Sequence, residues 1–285
     1  MAADAGNQAG TRAREFAFND QHFKRIRRTV YDYCGINLVD SKRDMVYSRL
    51  ARRIRAAGLH DFDTYLDYAL NDPDAFTDLV NAITTNLTAF FREPHHFEFL
   101  AATILPASQA ILKNRPLRIW SAGCSTGEEP YSIAITLAEH LNSQQLRRVE
   151  LLATDVDHNV IAQAAAGIYP LERVATLEQN YLKRWFQRGK GRNEGKVRVA
   201  PKLRELVQFD TLNLLAEWPF REQLDIVFCR NVVIYFDKPT QKKLFTRIAA
   251  ALGSRGYLFL GHSESLYQVS DRFEPLGKTI YRKLD

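Results

Sequence analysis

Leu117-Arg118-Ile119-Trp120-Ser121-Ala122-Gly123-Cys124-Ser125-Thr126-Gly127-Glu128-Glu129-Pro130 is the stretch that decides the fold. An apolar, β-rich run enters a turn of small residues, and a helix begins after it. Strand, small-residue turn and helix form a nucleotide-binding arrangement, because glycines let a ligand approach the backbone closely. The turn departs from Gly-x-Gly-x-x-Gly, and the acidic pair at the helix start would repel a pyrophosphate. A phosphate-free, cationic nucleoside suits it better.

Moving outward, Val149 to Thr154, Leu224 to Cys229 and Tyr257 to Leu260 are further strand-like runs. They alternate with the helical stretches Glu128 to Leu141, Asn159 to Ala166 and Lys238 to Leu252. That order predicts an α/β fold, a doubly wound, mostly parallel sheet with helices on both faces. Between Tyr169 and Phe209 the rhythm breaks: a helix ends at Trp185-Phe186, glycines recur at Gly189, Gly191 and Gly195, and short strands are expected at Val197 to Val199 and Leu206 to Phe209. This is read as an inserted β-subdomain at about 170–209. Upstream, Phe62, Tyr65, Leu66, Ala69, Leu70 and Phe76, Leu79, Val80, Ile83 are two helical stripes, so residues 16–88 form a small all-α domain. Val46, Leu50, Ile54 and Ala57 give one helix face, Lys42, Arg49, Arg52 and Arg53 the neighbouring one, and Gly58 its stop. Residues 89–93 are the joint, 94–285 the α/β domain, and residues 1–15 a loose tail.

Composition narrows the class. The net charge of +6 is N-terminal: residues 1–60 hold 12 Lys/Arg against 6 Asp/Glu, and the remainder 27 against 27. Such a face fits an anionic partner, and it equally fits a solvated surface. The opening residues lack the apolar segment of a signal peptide, and no run approaches the roughly 18 apolar residues of a membrane span. Three cysteines, Cys34, Cys124 and Cys229, are odd in number and far apart, which argues against a disulfide framework or a structural zinc site. A cytoplasmic protein is expected.

Chemistry gathers at strand ends. Asp155 ends the second strand, where a carboxylate can accept from both ribose hydroxyls; it suits equally the N-cap of the following helix, a role Asp157 also fills. After Asp225 to Phe228, Cys229-Arg230-Asn231 emerges at the carboxyl edge of the sheet, where open α/β sheets bind ligands, with Tyr235 close behind. Arg230 and Asn231 equally suit loop carbonyls, and Tyr235 a core aromatic. His95 and His96 are adjacent, so their rings are expected on different sides of a helix, and no metal site is predicted.

Thr85-Asn86-Leu87-Thr88-Ala89-Phe90-Phe91-Arg92-Glu93, Ser125-Thr126-Gly127-Glu128-Glu129-Pro130-Tyr131-Ser132, Asn213-Leu214-Leu215, Cys229-Arg230-Asn231 through Tyr235-Phe236, and Lys42 to Tyr47 together resemble the chemotaxis receptor glutamate O-methyltransferase family, CheR. The resemblance runs from about Phe16 to the C-terminus. It implies S-adenosylmethionine as cofactor, S-adenosylhomocysteine as product, and glutamate side chains of chemotaxis receptors as acceptors, methylated for sensory adaptation. It further implies that Asn86, Thr88 and Arg92 close over the cofactor. Glu129 would hold its amino acid part and Asp155 its ribose, with Asn213, Leu214, Arg230 and Asn231 lining the remaining wall. Arg92 and Tyr235 are the candidate catalytic donors that orient the incoming carboxylate. Lys42, Arg49, Arg52 and Arg53 would dock acidic receptor helices. Arg188-Gly189-x-Gly191 resembles members that bind a short peptide at the receptor's C-terminus, with Val197-Arg198-Val199 as an exposed docking strand.

Transfer to a carboxylate needs no general base, because the acceptor is already ionised near neutral pH. Positioning in a dry pocket is the expected source of rate. A nucleic-acid methyltransferase is the main rival, but the chain has Arg230-Asn231-Val232-Val233 where an adenine enzyme would carry Asp/Asn-Pro-Pro-aromatic, and no aromatic groove for a flipped base. No nucleic-acid partner is expected, and membrane contact only through receptors. The complete pocket set also argues against a non-catalytic adaptor.

Overall fold

A computed structural model of the chain describes residues 14–285. The expected tail lies mostly outside them. Its last two residues are tied down: Arg14 pairs with Asp44 at 2.5 Å and Glu15 with Arg55 at 3.0 Å. The described residues divide into two compact units, 14–29 with 38–83, and 30–37 with 84–285.

The first unit is helical: α1 (Asp20–Cys34, whose last five residues belong to the second unit), α2 (Arg43–Ala56), α3 (Phe62–Asn71) and α4 (Pro73–Ile83). Local sequence sets their ends. Asn19 caps α1 by accepting from the His22 N–H at 2.9 Å, Asp61 caps α3 from Thr64 at 2.7 Å, and Asp72 accepts from Ala75 at 2.8 Å just ahead of Pro73. Gly58, at φ +68°, follows the last turn of α2 as the stop that the sequence predicts. Val46, Leu50, Ile54, Phe62, Leu66 and Leu79 are fully buried, as the helical stripes require, whereas Ala57 and Leu70 are exposed. The basic face of α2 is split. Lys42 and Arg52 are exposed, but Arg49 donates to the Ala82 and Ile83 carbonyls at 3.3 and 3.0 Å, and Arg53 lies 3.6 Å from Asp78. Arg49 thus closes the C-terminus of α4 and holds the unit together.

In the second unit, ten strands among the described residues form two sheets. The large one has the order β6-β2-β1-β7-β8-β10-β9: β1 (Leu117–Ala122), β2 (Val149–Asp155), β6 (Val207–Thr211), β7 (Leu224–Phe228), β8 (Leu252–Phe259), β9 (Phe273–Gly277) and β10 (Ile280–Lys283). The first five pair in parallel, and β10 runs antiparallel to both its neighbours. The central strands bury both faces, which is why they read as continuous apolar runs. The Trp120 indole, fully buried, donates to the Thr154 hydroxyl across the β1–β2 pair at 2.9 Å. Helices Glu128–His140, His158–Ala166 and Lys238–Ala251 supply crossovers close to the expected ranges.

The small sheet, order β3-β5-β4, comprises β3 (Ile168–Pro170), β4 (Phe186–Arg188) and β5 (Lys196–Val199), all antiparallel. Two expectations need correcting. The inserted unit was drawn to residue 209, but β6 belongs to the large sheet and pairs in parallel with β2 from Leu151↔Val207 to Asp155↔Thr211. Val197-Arg198-Val199 was expected to be an exposed docking strand. It is instead the centre of the small sheet, bonded on both sides, with Val197 and Val199 buried. The free edges belong to β3 and β4.

Candidate active site

The turn after β1 is pinned to the end of β2. The N–H groups of Gly123 and Cys124 both donate to the Thr154 carbonyl, at 2.8 and 2.9 Å, and that of Ser125 donates to Asp155 Oδ2 at 2.9 Å. Both turn glycines are left-handed, at φ +81° and +95°, and both face protein. A Cβ on Gly123 would lie 2.3 Å from Val232 Cγ2, and one on Gly127 2.7 Å from Ala164 Cβ. The sequence reading gave these glycines to ligand approach. The structure spends them on close packing of the turn against the loop after β7 and against helix His158–Ala166.

Asp155 is all but buried. Besides Ser125, it accepts the Asp157 N–H at 3.1 Å. Burial pushes its carboxyl up to about 6, against the pull of these backbone donors. Asp157, not Asp155, caps the following helix, accepting from the Asn159 N–H at 2.9 Å. Its other oxygen accepts from the Thr84 hydroxyl and the Asn86 amide, each at 3.1 Å. Ser125 Oγ donates to the Asn86 carbonyl at 3.2 Å, so Asn86, the turn and Asp155 form one cluster.

A second cluster is built on Arg230, whose side chain is 2% exposed. It donates to Glu129 Oε2 at 2.8 Å and to the Arg92 carbonyl, and it lies 3.3 Å from Glu93 Oε2. Glu129 also accepts the Ser121 hydroxyl at 2.8 Å. Burial raises the Glu129 carboxyl, opposed by Arg230. For Glu93 the balance reverses: burial works to raise it, but the Arg230 charge and hydrogen bonds from His262 hold it at about 2. His96 is driven down to about 4 by burial, with Arg230 adding to the effect. Both glutamates of the turn are compensated, since the fully buried Glu128 pairs with Arg173. The expected repulsion of a pyrophosphate by that pair therefore loses its force.

The expectation that His95 and His96 point apart is also overturned. A left-handed Lys278-Thr279 turn projects the Lys278 carbonyl, and the two rings reach it at 3.2 and 3.0 Å. Ligand atoms of Glu93, His95 and His96 all lie within 4.8 Å of one another. Arg230 Nη2 lies 3.3 Å from Glu93 Oε2, so a cation there would also meet the guanidinium charge.

The loop after β7 turns at Asn231, left-handed at φ +59°. Glu264, buried beyond β8, holds it there: its carboxylate accepts the N–H groups of Gly261, Asn231 and Ile234 at 2.6, 2.8 and 3.3 Å. Burial raises the Glu264 carboxyl, and these donors oppose the rise. Tyr235, half-buried, follows in this loop and accepts the Asn37 N–H on its carbonyl at 2.8 Å. Glu93, Glu264 and Arg173 escaped sequence reasoning. Glu264 had one usable signal, an acid just past a strand at the carboxyl edge of the sheet.

Thr88 is half-buried in the joint, and the Arg92 guanidinium donates back to the Leu87 carbonyl at 2.9 Å. Asn213 is engaged elsewhere: its amide donates to the Tyr33 carbonyl at 2.6 Å and its oxygen accepts from the Leu215 N–H at 2.9 Å. Leu214 is buried in the core.

The family described as CheR methyltransferase, SAM binding domain, matches residues 86–282, and the CheR methyltransferase all-alpha domain matches residues 21–84. This chain is a member of the CheR methyltransferase family. Chemotaxis protein methyltransferase 2 of Pseudomonas aeruginosa PAO1 is 47% identical to this CheR chain over 268 residues, covering 94% of each. The chemotaxis protein methyltransferase of Klebsiella aerogenes is 44% identical over 285 residues, 98% of this chain and 95% of its own. That of Escherichia coli K12 is 44% identical over 268 residues, 93% and 91% respectively. The CheR chain is therefore an S-adenosylmethionine-dependent methyltransferase, and its site fits that cofactor. Asp155 and Glu129 are buried carboxylates raised by burial, which a cationic ligand with donor hydroxyls would restore to the ionised form. Arg230 Nε, buried, has no hydrogen-bond partner and can serve a ligand carboxylate.

Proposed function

We propose that the chain transfers the methyl group of S-adenosylmethionine to glutamate carboxylates of chemotaxis receptors, forming methyl esters that serve sensory adaptation. The observation that supports the acceptor class is the match to the CheR methyltransferase domains and the 44–47% identity to chemotaxis protein methyltransferases over nearly the whole chain. Glu93 is held at about 2 and His96 at about 4, and the buried thiols of Cys124 and Cys229 are raised far above their ordinary range. None of these four groups suits the deprotonation of an amine or alcohol at neutral pH, and the raised carboxyls Asp155 and Glu129 are engaged by N–H groups of the neighbouring backbone and by Arg230. An acceptor that arrives ionised, such as a carboxylate, needs no such help.

The cofactor supplies an electrophilic methyl on a sulfonium. Asn86, Thr88 and Arg92 from the joint close over it, Asp155 accepts its ribose hydroxyls, Glu129 and Arg230 hold its amino acid end, and Asn231 and Leu214 complete the wall. Asn213 acts through the loop it braces. An in-line glutamate oxygen would take that methyl while the S–C bond pair stays on sulfur, and the buried surroundings of Asp155, Glu129 and Arg230 would favour the cancelling of opposite charges by excluding water. Tyr235 is the orienting donor for the acceptor. The Arg92 guanidinium is occupied at the Leu87 carbonyl, which suits closure of the pocket, and a second full charge on the acceptor would blunt its nucleophilicity.

Receptor docking follows the corrected surfaces. Lys42 and Arg52 present the exposed charge of α2 to acidic receptor helices, while Arg49 and Arg53 support that face from within. A receptor C-terminal peptide would add as a strand to β4, beside Arg188, Gly189 and Gly191, with Val197 and Arg198 backing it from β5. Tethering there raises the local concentration of methylation sites. The protein acts from the cytoplasm on membrane-bound receptors; none of its described helices is long and apolar enough to cross a membrane. Calorimetry with S-adenosylhomocysteine, followed by transfer of labelled methyl to receptor-containing membranes and to DNA, tests the reading. Label in receptors supports it, and label in DNA alone overturns it.

A further inference from the structure

The inserted three-stranded unit reaches the cofactor turn through two links that converge on Thr126. From β3, the fully buried Tyr169 donates its hydroxyl to the Thr126 carbonyl at 2.7 Å. From the helical turn Leu171–Val174, Arg173 donates through Nε at 3.0 Å, and also through Nη2, to Oε1 of Glu128, which is fully buried; Glu128 Oε2 in turn accepts the Thr126 hydroxyl at 2.6 Å. Thr126 adjoins Ser125, whose N–H binds Asp155. The Thr126 carbonyl is thus held by the inserted unit directly, and its hydroxyl through Glu128.

We propose that Tyr169 and Arg173 are positioning residues for the cofactor: the inserted unit holds the turn Gly123–Gly127, and with it Asp155, in the geometry that binds S-adenosylmethionine. The unit is then part of the cofactor site and more than a surface for receptors. Position is at stake because Ser125, whose N–H binds Asp155, is a non-glycine residue in the left-handed region at φ +50°, a conformation that persists only where neighbours hold it. Arg173 also neutralises Glu128, which would otherwise stand buried and charged at the first turn of its helix. The proposal rests on the reading that Asp155 and this turn face the cofactor.

The test uses the full chain with Tyr169→Phe, Arg173→Met, Arg173→Lys and Asp155→Ala, measuring S-adenosylhomocysteine affinity by calorimetry, steady-state methylation and Tm. Tyr169→Phe keeps the ring against Phe90, 5.1 Å between centroids, and removes only the hydroxyl. We expect its Kd to rise about 3- to 10-fold and that of Arg173→Met about 10-fold or more, with Arg173→Lys recovering part of the loss. KM for S-adenosylmethionine should rise in parallel, while KM for receptor and kcat at saturating cofactor stay level. Unchanged cofactor affinity in Tyr169→Phe and Arg173→Met, even with a lowered Tm, would reduce both residues to structural braces and overturn the proposal. Asp155→Ala separates the levels: weakened binding there with none in the other variants sinks the proposal alone, and unweakened binding in all of them sinks the site reading.

Discussion

Cofactor affinity should depend on pH through Asp155. Its carboxyl is raised from 3.8 to about 6 by burial, so the folded protein holds this proton more tightly than the unfolded chain. The sign follows: stability from this group is greatest at low pH and falls as pH rises from about 4 to about 6, a cost on the order of 3 kcal/mol once ionised. Ribose hydroxyls donate to the ionised form, so ligand binding moves the other way. A ligand that binds only the carboxylate loses about 11-fold in affinity at pH 5 and about twofold at pH 6, relative to high pH. Calorimetry with S-adenosylhomocysteine between about pH 5 and 7.5 reads this directly, the working pKa being the folded one. Asp155→Ala should bind about 1 to 3 kcal/mol more weakly at neutral pH, with the fold intact, and lose the pH dependence. Any slope left in the variant belongs to the other raised carboxyls around the site, Glu129 and Glu264. A flat profile in the native protein, or the same slope and affinity in Asp155→Ala, refutes the ribose assignment.

Three further outcomes are expected. Charge reversal at the exposed Lys42 and Arg52 should raise KM for receptor steeply at low salt without changing cofactor affinity, whereas Arg49→Glu should also lower Tm, because Arg49 closes α4; normal receptor kinetics would make the face a solvated surface. Gly189 and Trp185 make the inward bonds of the β4 edge, so the Arg188 N–H points outward, and Arg188→Pro should abolish binding of receptor C-terminal peptides while cofactor binding survives; retained peptide binding would move the dock away from β4. Glu264→Gln sets an amide against backbone donors that now bind carboxylate oxygens, and should cost about 2 kcal/mol, read as a Tm lower by several degrees; an unchanged Tm would show that the loop at Asn231 needs no brace.

What was legible in the sequence followed from periodicity and burial. β1, β2 and β7 read as strands because burial on both faces makes them continuous apolar runs, and the stripes of α2 to α4 read because one face of each is packed. β6 was given to the wrong sheet because it follows the hairpin in sequence, while its partner β2 lies some fifty residues upstream and only tertiary pairing reveals it. β5 reads as an edge in the sequence because nothing local shows that β3 and β4 flank it. At the site, Asp155, Glu129 and Arg230 were placed by their positions at strand ends. Glu264 and Arg173 were invisible, since their partners are loop N–H groups and a buried acid contributed by other parts of the chain. His95 and His96 misled for a related reason: helix geometry separates adjacent Cβ directions, but flexible rings converge when one carbonyl is presented to both.

The central claim is that the acceptor is an ionised carboxylate, methylated without a base, and the chemical nature of the product tests it most directly. Receptor-containing membranes are incubated with the enzyme and S-adenosylmethionine labelled in its methyl group, and the modified protein is treated with mild alkali. The account predicts that the label leaves as volatile methanol, as an ester of a glutamate side chain must, and that Tyr235→Phe slows its incorporation while cofactor affinity holds. Label that survives alkali on protein as an N-methyl group would contradict it.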